Sequence, residues 1–173
     1  MVAFAVIYPL IILVIAQAAS GKGLSETVIV NNKVVGYKLQ GQKFSSDKYF
    51  QSRPSAANYN AAASAGSNKS TTNPYYLKEV QSRIDTFLVH NPTIKKEDIP
   101  SDLITASGSG LDPDISVNAA NVQIDRIASV RKINKQIIQQ LVNSYIEKPL
   151  WGLFGTEKIN VLKLNIALDK IKE

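Results

Sequence analysis

Three regimes of apolar and polar residues follow one another along this chain. From Val2 to Ala19 the side chains are apolar apart from the Tyr8 hydroxyl and the Gln17 amide, and no charge falls within the first twenty-one residues. As a helix rising 1.5 Å per residue, that stretch is about 27 Å long, close to the roughly 30 Å hydrocarbon core of a bilayer. Pro9 lacks a backbone donor and predicts a kink, which membrane helices tolerate when the freed carbonyl finds a partner. A removable signal peptide is the competing reading, since "AQAA" resembles a cleavage site. The missing basic flank and the length of the run favour an uncleaved single-span anchor over residues 1–20.

Past a short polar hinge at Ser20–Leu24 the pattern changes to short apolar runs around Asn31-Asn32, a turn pair. It predicts strands over Thr27–Val30 and Lys33–Leu39. Gly41 to Pro74 is rich in Ser, Asn, Ala and Gly and has little periodicity, the composition of a linker. It also carries Phe44, Tyr49, Phe50 and Tyr59, which favours an ordered loop region packed on the domain.

Helical periodicity takes over from Asn73-Pro74, a capping side chain followed by proline at the first helical position. Leu77, Val80, Ile84 and Leu88 fall on one face, and His90 ends the segment as a capping or surface residue. "SVNAANVQIDRIASVR" predicts a helix capped by Ser116. "NKQIIQQLVNSYIE" predicts another, with a core stripe of Ile137, Ile138, Leu141, Val142 and Tyr145. Trp151 and Phe154 in "KPLWGLFG" offer either a docking patch or, as is commoner for loop aromatics, side chains tucked into their own domain. "KINVLKLNIALDKI" reads as a strand over Ile159–Leu164 followed by a short helix. The class expected is α+β: an N-terminal transmembrane helix, then one mixed soluble domain over residues 21–173.

Composition narrows the chemistry. With 173 residues, 45% of them hydrophobic, the chain supports one compact domain. No cysteine and a single histidine, His90, exclude disulfides, thiolate sites and multi-histidine metal sites. The net charge of +6 is diffuse, with Lys95-Lys96 and Arg131-Lys132 as the only adjacent basic pairs, so nucleic-acid binding is not expected.

"ITASGSGLDPDIS" (residues 104–116) is the stretch richest in apparent chemistry. It lacks the G-x-x-x-x-G-K-[ST] order of a phosphate loop and the G-x-S-x-G order of a nucleophile elbow. Asp112 and Asp114 lack the remaining ligands of an EF-hand. Gly108 and Gly110 with Asp112-Pro113 predict a rigid loop entering a helix capped by Ser116. An anchored serine hydrolase using Ser107 or Ser109 would need a base that the lone histidine makes improbable.

Three blocks, "YFQSRPSAANYNAAASAGSN" (49–68), "DLITASGSGLDPDIS" (102–116) and "INVLKLNIALD" (159–169), resemble the signatures of the C subunit of the Kdp-type potassium-transporting P-type ATPase. "YPL" (8–10) and "GQKF" (41–44) resemble family features as well. The chain departs from the usual pattern at Ala65, Asp114 and Val117, where the family commonly has Gly, His and Pro. The resemblance implies a non-catalytic, single-span subunit of the cell membrane with its soluble domain on the outer face. It further implies partners in a channel-like potassium-binding subunit and an ATP-hydrolysing subunit, with ATP only by family association, as a catalytic chaperone that raises the hydrolysing subunit's ATP affinity. Carried onto this sequence, the partner-contact candidates are Gln51, Ser52, Arg53, Pro54 and Ser55, then Gly66, Ser67 and Asn68, and Ser107, Gly108, Ser109, Gly110 and Asp112. The two Ser/Gly loops are expected side by side, with Arg53 either reaching a partner or bridging internally to Asp112. A stand-alone extracellular ligand-binding domain is the alternative.

Overall fold

A computed structural model describes residues 1–18 and 26–171. The hinge expected at Ser20–Leu24 lies outside the described residues. The chain divides into two compact units, Met1–Leu39 and Gln40–Glu173.

In the first unit a π-helical stretch, Ala3–Ile7, runs into helix α1 (Tyr8–Ala18). Pro9 supplies the physical reason for the mixed geometry. Its missing N–H leaves the α pattern broken one turn earlier, and Tyr8 N–H donates to the Ala3 carbonyl across the wider turn. Among the described residues no helix is long and apolar enough to cross a membrane. Large apolar side chains from Val2 to Ile15 are exposed throughout, Leu10 and Ile11 each by more than half.

Strands β1 (Thr27–Val30) and β2 (Lys33–Tyr37) pair antiparallel, with Val30 opposite Lys33 and Thr27 opposite Tyr37. Asn31 and Asn32 turn the chain at φ 51° and 62°, the left-handed pair that a two-residue hairpin needs and that asparagine tolerates. A register shift between Val28 and Ile29 bends the ribbon.

The second unit opens with the irregular segment 41–73, which is ordered on the domain: Phe50 is fully buried. Asn73 then caps α2 (Pro74–His90), its Oδ1 accepting from the N–H groups of Tyr75 and Tyr76. Ile84 and Phe87 face the core with Val80 and Leu88 beside them, whereas Leu77, expected in the stripe, is half exposed. Two short 3₁₀ turns, Lys96–Asp98 and Ser101–Leu103, lead to the strand β3 (Asp114–Ile115).

One long helix is expected after Ser116; the structure has two. Helix α3 (Val117–Asn121) is capped by the Ser116 hydroxyl, and after a break at Val122–Gln123 the chain resumes as α4 (Ile124–Arg131). The break swings Gln123 fully into the interior, where its amide has work described below. Lys132 ends α4 in the left-handed region, φ 57°, so that Ile133 N–H closes on the Ala128 carbonyl. Helix α5 (Lys135–Ser144) buries Ile138 and Val142 from the expected stripe and leaves Ile137 exposed.

The expected strand Ile159–Leu164 is only two residues long. Strand β4 (Ile159–Asn160) pairs antiparallel with β3, and α6 (Val161–Leu168) starts at once because the Asn160 side chain caps it by accepting from Lys163 N–H. A local cap overrides the β-branched composition of the segment. Phe50, Ile115, Ile124, Ile127, Ile138, Ile159, Leu164 and Leu168 meet in one core.

Candidate functional site: the paired Ser/Gly loops

Residues 51–68 and 104–116 lie against each other and bond through both backbone and side chains. Ser107 N–H donates to the Pro54 carbonyl at 3.1 Å, and Ala65 N–H to the Ser109 carbonyl at 3.0 Å. The Ser55 hydroxyl donates to the Gly110 carbonyl at 2.6 Å, and Ser64 reaches the Ser109 carbonyl. Close approach explains the glycines. A Cβ on Gly66 would stand 2.8 Å from the Gly108 oxygen. One on Gly110, which has φ +69°, would stand 2.8 Å from the Ala65 oxygen and 2.9 Å from the Ala57 Cβ.

Arg53 crosses the pair. Its Nη1 donates to Asp112 Oδ2 at 2.9 Å, while Asp112 Oδ1 accepts from Asp114 N–H, so one carboxylate fixes both the bridge and the turn. Arg53 Nε is buried without an acceptor. The Tyr59 hydroxyl donates to the Arg53 carbonyl at 2.7 Å, and burial pushes that phenol above its ordinary value of 10.0. Beside the pair lies an open cavity of about 660 Å³ lined by Arg53, Asp102, Asp112, Asp114, Ser116 and Lys158, among others. Its aspartates are committed to the protein: Asp112 pairs with Arg53, Asp102 accepts from Ser116 N–H, and Asp114 pairs with Lys158, which raises that ammonium's pKa chiefly through the hydrogen bond. Among the described residues no cluster of three His, Cys, Asp or Glu side chains stands ready for a metal ion.

The candidates differ in access. Gly108, Ser109 and Asn68 are exposed; Gln51, Ser52, Arg53, Pro54, Ser55, Gly66, Ser67 and Asp112 are half-buried; Ser107 and Gly110 are buried. Several are tied inward, Ser52 through its hydroxyl to the Gln42 carbonyl and Gln51 through its N–H to Gln123 Oε1. Ser109 Oγ accepts from Leu111 N–H. His90 Nδ1 stands 2.9 Å from Asp47 Oδ1, without hydrogen-bond alignment.

Sequence reasoning missed the residues that hold segment 41–73 in place. Buried Arg126 donates to Asn91 Oδ1, Gln123 Oε1 and the Asp47 and Tyr49 carbonyls. Desolvation lowers its pKa, with Asp47 acting in the opposite sense. Asn165 accepts from Phe50 N–H at 2.9 Å and donates to the Phe50 carbonyl at 3.0 Å, imitating a strand partner. The available signal was polar residues at core phase: Asn165 within "VLKLNIAL", and Gln123 and Arg126 beside Ile124 and Ile127.

Residues 1–170 match the family model described as K+-transporting ATPase, c chain (KdpC). The chain belongs to the KdpC family. It is 56% identical over 171 residues to the potassium-transporting ATPase KdpC subunit of Flavobacterium psychrophilum, covering 99% of this chain and 92% of that protein. The KdpC subunit of Bacteroides fragilis is 51% identical over 172 residues, 98% of this chain and 90% of its own length. That of Bacillus cereus is 45% identical over 167 residues, 95% and 86% respectively. Both Ser/Gly loops fall within the residues that match the family model.

Proposed function

We propose that this chain is the non-catalytic accessory subunit of an ATP-driven, high-affinity potassium uptake pump, needed for assembly and stability of the complex. The observation that carries the reading is the family match across residues 1–170. Residues 1–20 are its single-span membrane anchor; the charge-free apolar run from Val2 to Ala19 supports this. Residues 21–173 are its domain on the outer face of the cell membrane. Its partners are the channel-like potassium-binding subunit and the ATP-hydrolysing subunit of the same complex.

The paired Ser/Gly loops face the channel-like subunit. Exposed Gly108, Ser109 and Asn68 and the half-buried Arg53 support that role, because a planar guanidinium suits a partner carbonyl or carboxylate. Any rise in the hydrolysing subunit's ATP affinity then reaches the cytoplasmic side as coupling between distant sites, through the anchor or the channel subunit.

Mild-detergent purification through a tag on this chain, followed by a potassium-stimulated ATPase assay, tests the reading. Co-purification of the two larger subunits with potassium-dependent hydrolysis is expected; recovering the chain alone would overturn it. Arg53→Ala is expected to weaken assembly more than it lowers the chain's own melting temperature. The reverse would reduce Arg53 to an internal strut.

A further inference from the structure

In the turn between α5 and β4, Leu150, Trp151, Leu153 and Phe154 stand exposed instead of tucked into the domain as expected; the first residues of the second unit, by contrast, are gripped. Gly41 is buried, and its N–H donates to the Leu111 carbonyl at 2.7 Å. A Cβ placed there would stand 2.5 Å from the Asp112 carbonyl oxygen and 3.0 Å from the carbon that bears it. Both are backbone atoms, which cannot swing aside as the end of a side chain would. Gly41 has no left-handed φ, so closeness alone calls for glycine. One residue on, the Gln42 carbonyl accepts from the Ser52 hydroxyl at 2.7 Å. Residues 41 and 42 are thus held by both Ser/Gly loops, and Arg53 ties those loops together through Asp112.

We propose that Gly41 is a positioning residue: its clamp joins the chain's entry into the second unit to the loop surface that meets the channel-like subunit, so that assembly depends on this joint. Three observations carry the proposal. The grip is backbone against backbone, so it fixes the path of the chain itself and not only a side chain. It also falls on the candidate surface, since Ser52 and Asp112 belong to the loops placed at the partner. Lastly, the approach to the clamp is short. Lys38 N–H donates to the Glu26 carbonyl at 2.9 Å at the base of the β1–β2 ribbon, and Leu39 and Gln40 alone separate that bond from Gly41. A preorganised connection loses less freedom on docking than a loose one, and a short connection keeps two linked contacts at high effective concentration. The anchor brings the chain to the complex, and the clamp presents the loops there. The inference rests on the accessory-subunit reading above, with its anchor and its channel-facing loops.

Two variants cut the joint at different points. Gly41→Ala forces the Asp112 backbone away and opens the clamp. A flexible Gly-Ser linker of about six residues, inserted between Leu39 and Gln40, leaves the clamp intact and loosens the approach to it. Each full-length chain is tagged, co-expressed with the larger subunits and purified in mild detergent. The larger subunits retained per chain after dilution washes are measured beside the melting temperature of the chain alone. Both variants are expected to retain about tenfold less of the larger subunits than the parent. The linker variant is expected to melt with the parent, which separates positioning from a merely structural role and carries the test even where Gly41→Ala does not fold. A linker variant that assembles as well as the parent overturns the clamp proposal and leaves the accessory-subunit reading intact. One that melts well below the parent overturns the proposal too, because the loss is then one of folding. A parent chain that recovers neither larger subunit overturns the accessory-subunit reading and this inference with it.

Discussion

The Ser/Gly loop at 104–116 and the apolar turn at 149–155 are inversions of each other. The first has the composition of a solvated loop, yet Ser107 and Gly110 are buried and its backbone is bonded to residues 54–65. The second has the composition of a core segment, yet its four large apolar side chains face outward. Loop composition therefore does not decide loop placement. A polar loop enters a domain when another polar segment satisfies its donors and acceptors. The apolar turn instead closes on itself through the Leu150–Phe154 and Gly152–Pro149 backbone bonds, with no distant segment among the described residues bonded to it.

The sharpest way to break that contrast is to strip the polar loops of their support. Arg126→Leu would leave acceptors on Asp47, Tyr49 and Asn91 without a donor, while Gln123 Oε1 keeps the Gln51 N–H. A loss of roughly 3–5 kcal/mol is expected in chemical denaturation of the full chain in detergent. If stability held, segment 41–73 would not depend on that hub. Next, Gly110→Ala places a side chain at φ +69° against Ala57 and the Ala65 carbonyl, and should lower stability by about 1–3 kcal/mol. Gly108→Ala, two residues away, meets nothing within 4 Å and should stay within about 0.5 kcal/mol. Equal effects at the two glycines would contradict the close approach.

Tyr59→Phe removes a hydrogen bond to the Arg53 carbonyl, a loss of about 1 kcal/mol. It also carries a pH signature. Burial raises the Tyr59 pKa above 10.0, so the folded state holds the phenol proton more tightly than the unfolded chain does. Its contribution is complete below pH 10 and fades as pH rises through the folded value. The variant should show a shallower alkaline loss than the parent. Tyr49, raised chiefly by desolvation and then by Asp169, titrates in both and cancels in the difference. Smallest of all, Leu153→Ser at the exposed tip should move stability by less than about 0.5 kcal/mol, whereas a core leucine such as Leu164 changed to serine should fall far more.

Features that depend on near neighbours were legible in the sequence. The Asn31-Asn32 turn, the Asn73 and Ser116 caps and the loop character of residues 104–116 stand where their local chemistry put them. Boundaries failed where one polar side chain outweighed a periodic pattern. Asn160 capped a helix inside an expected strand, and the break at Val122–Gln123 divided an expected helix. Of the candidate site, the two loops could be named from their residues. Which of those residues face solvent could not, because burial depends on the opposing segment.

By itself the sequence determined the local turns, the helix caps, the apolar N-terminal run and the family signature blocks, all properties of residues a few positions apart. Only the tertiary structure decided that Asn165 would pair with the backbone of Phe50, 115 positions away, and that Gln123 would meet Gln51 across 72. It alone decided that serine-rich residues would close on each other while a Trp-Leu-Phe turn remained open. Local rules fix how a segment bends, whereas its burial is set by which distant groups satisfy its polar atoms.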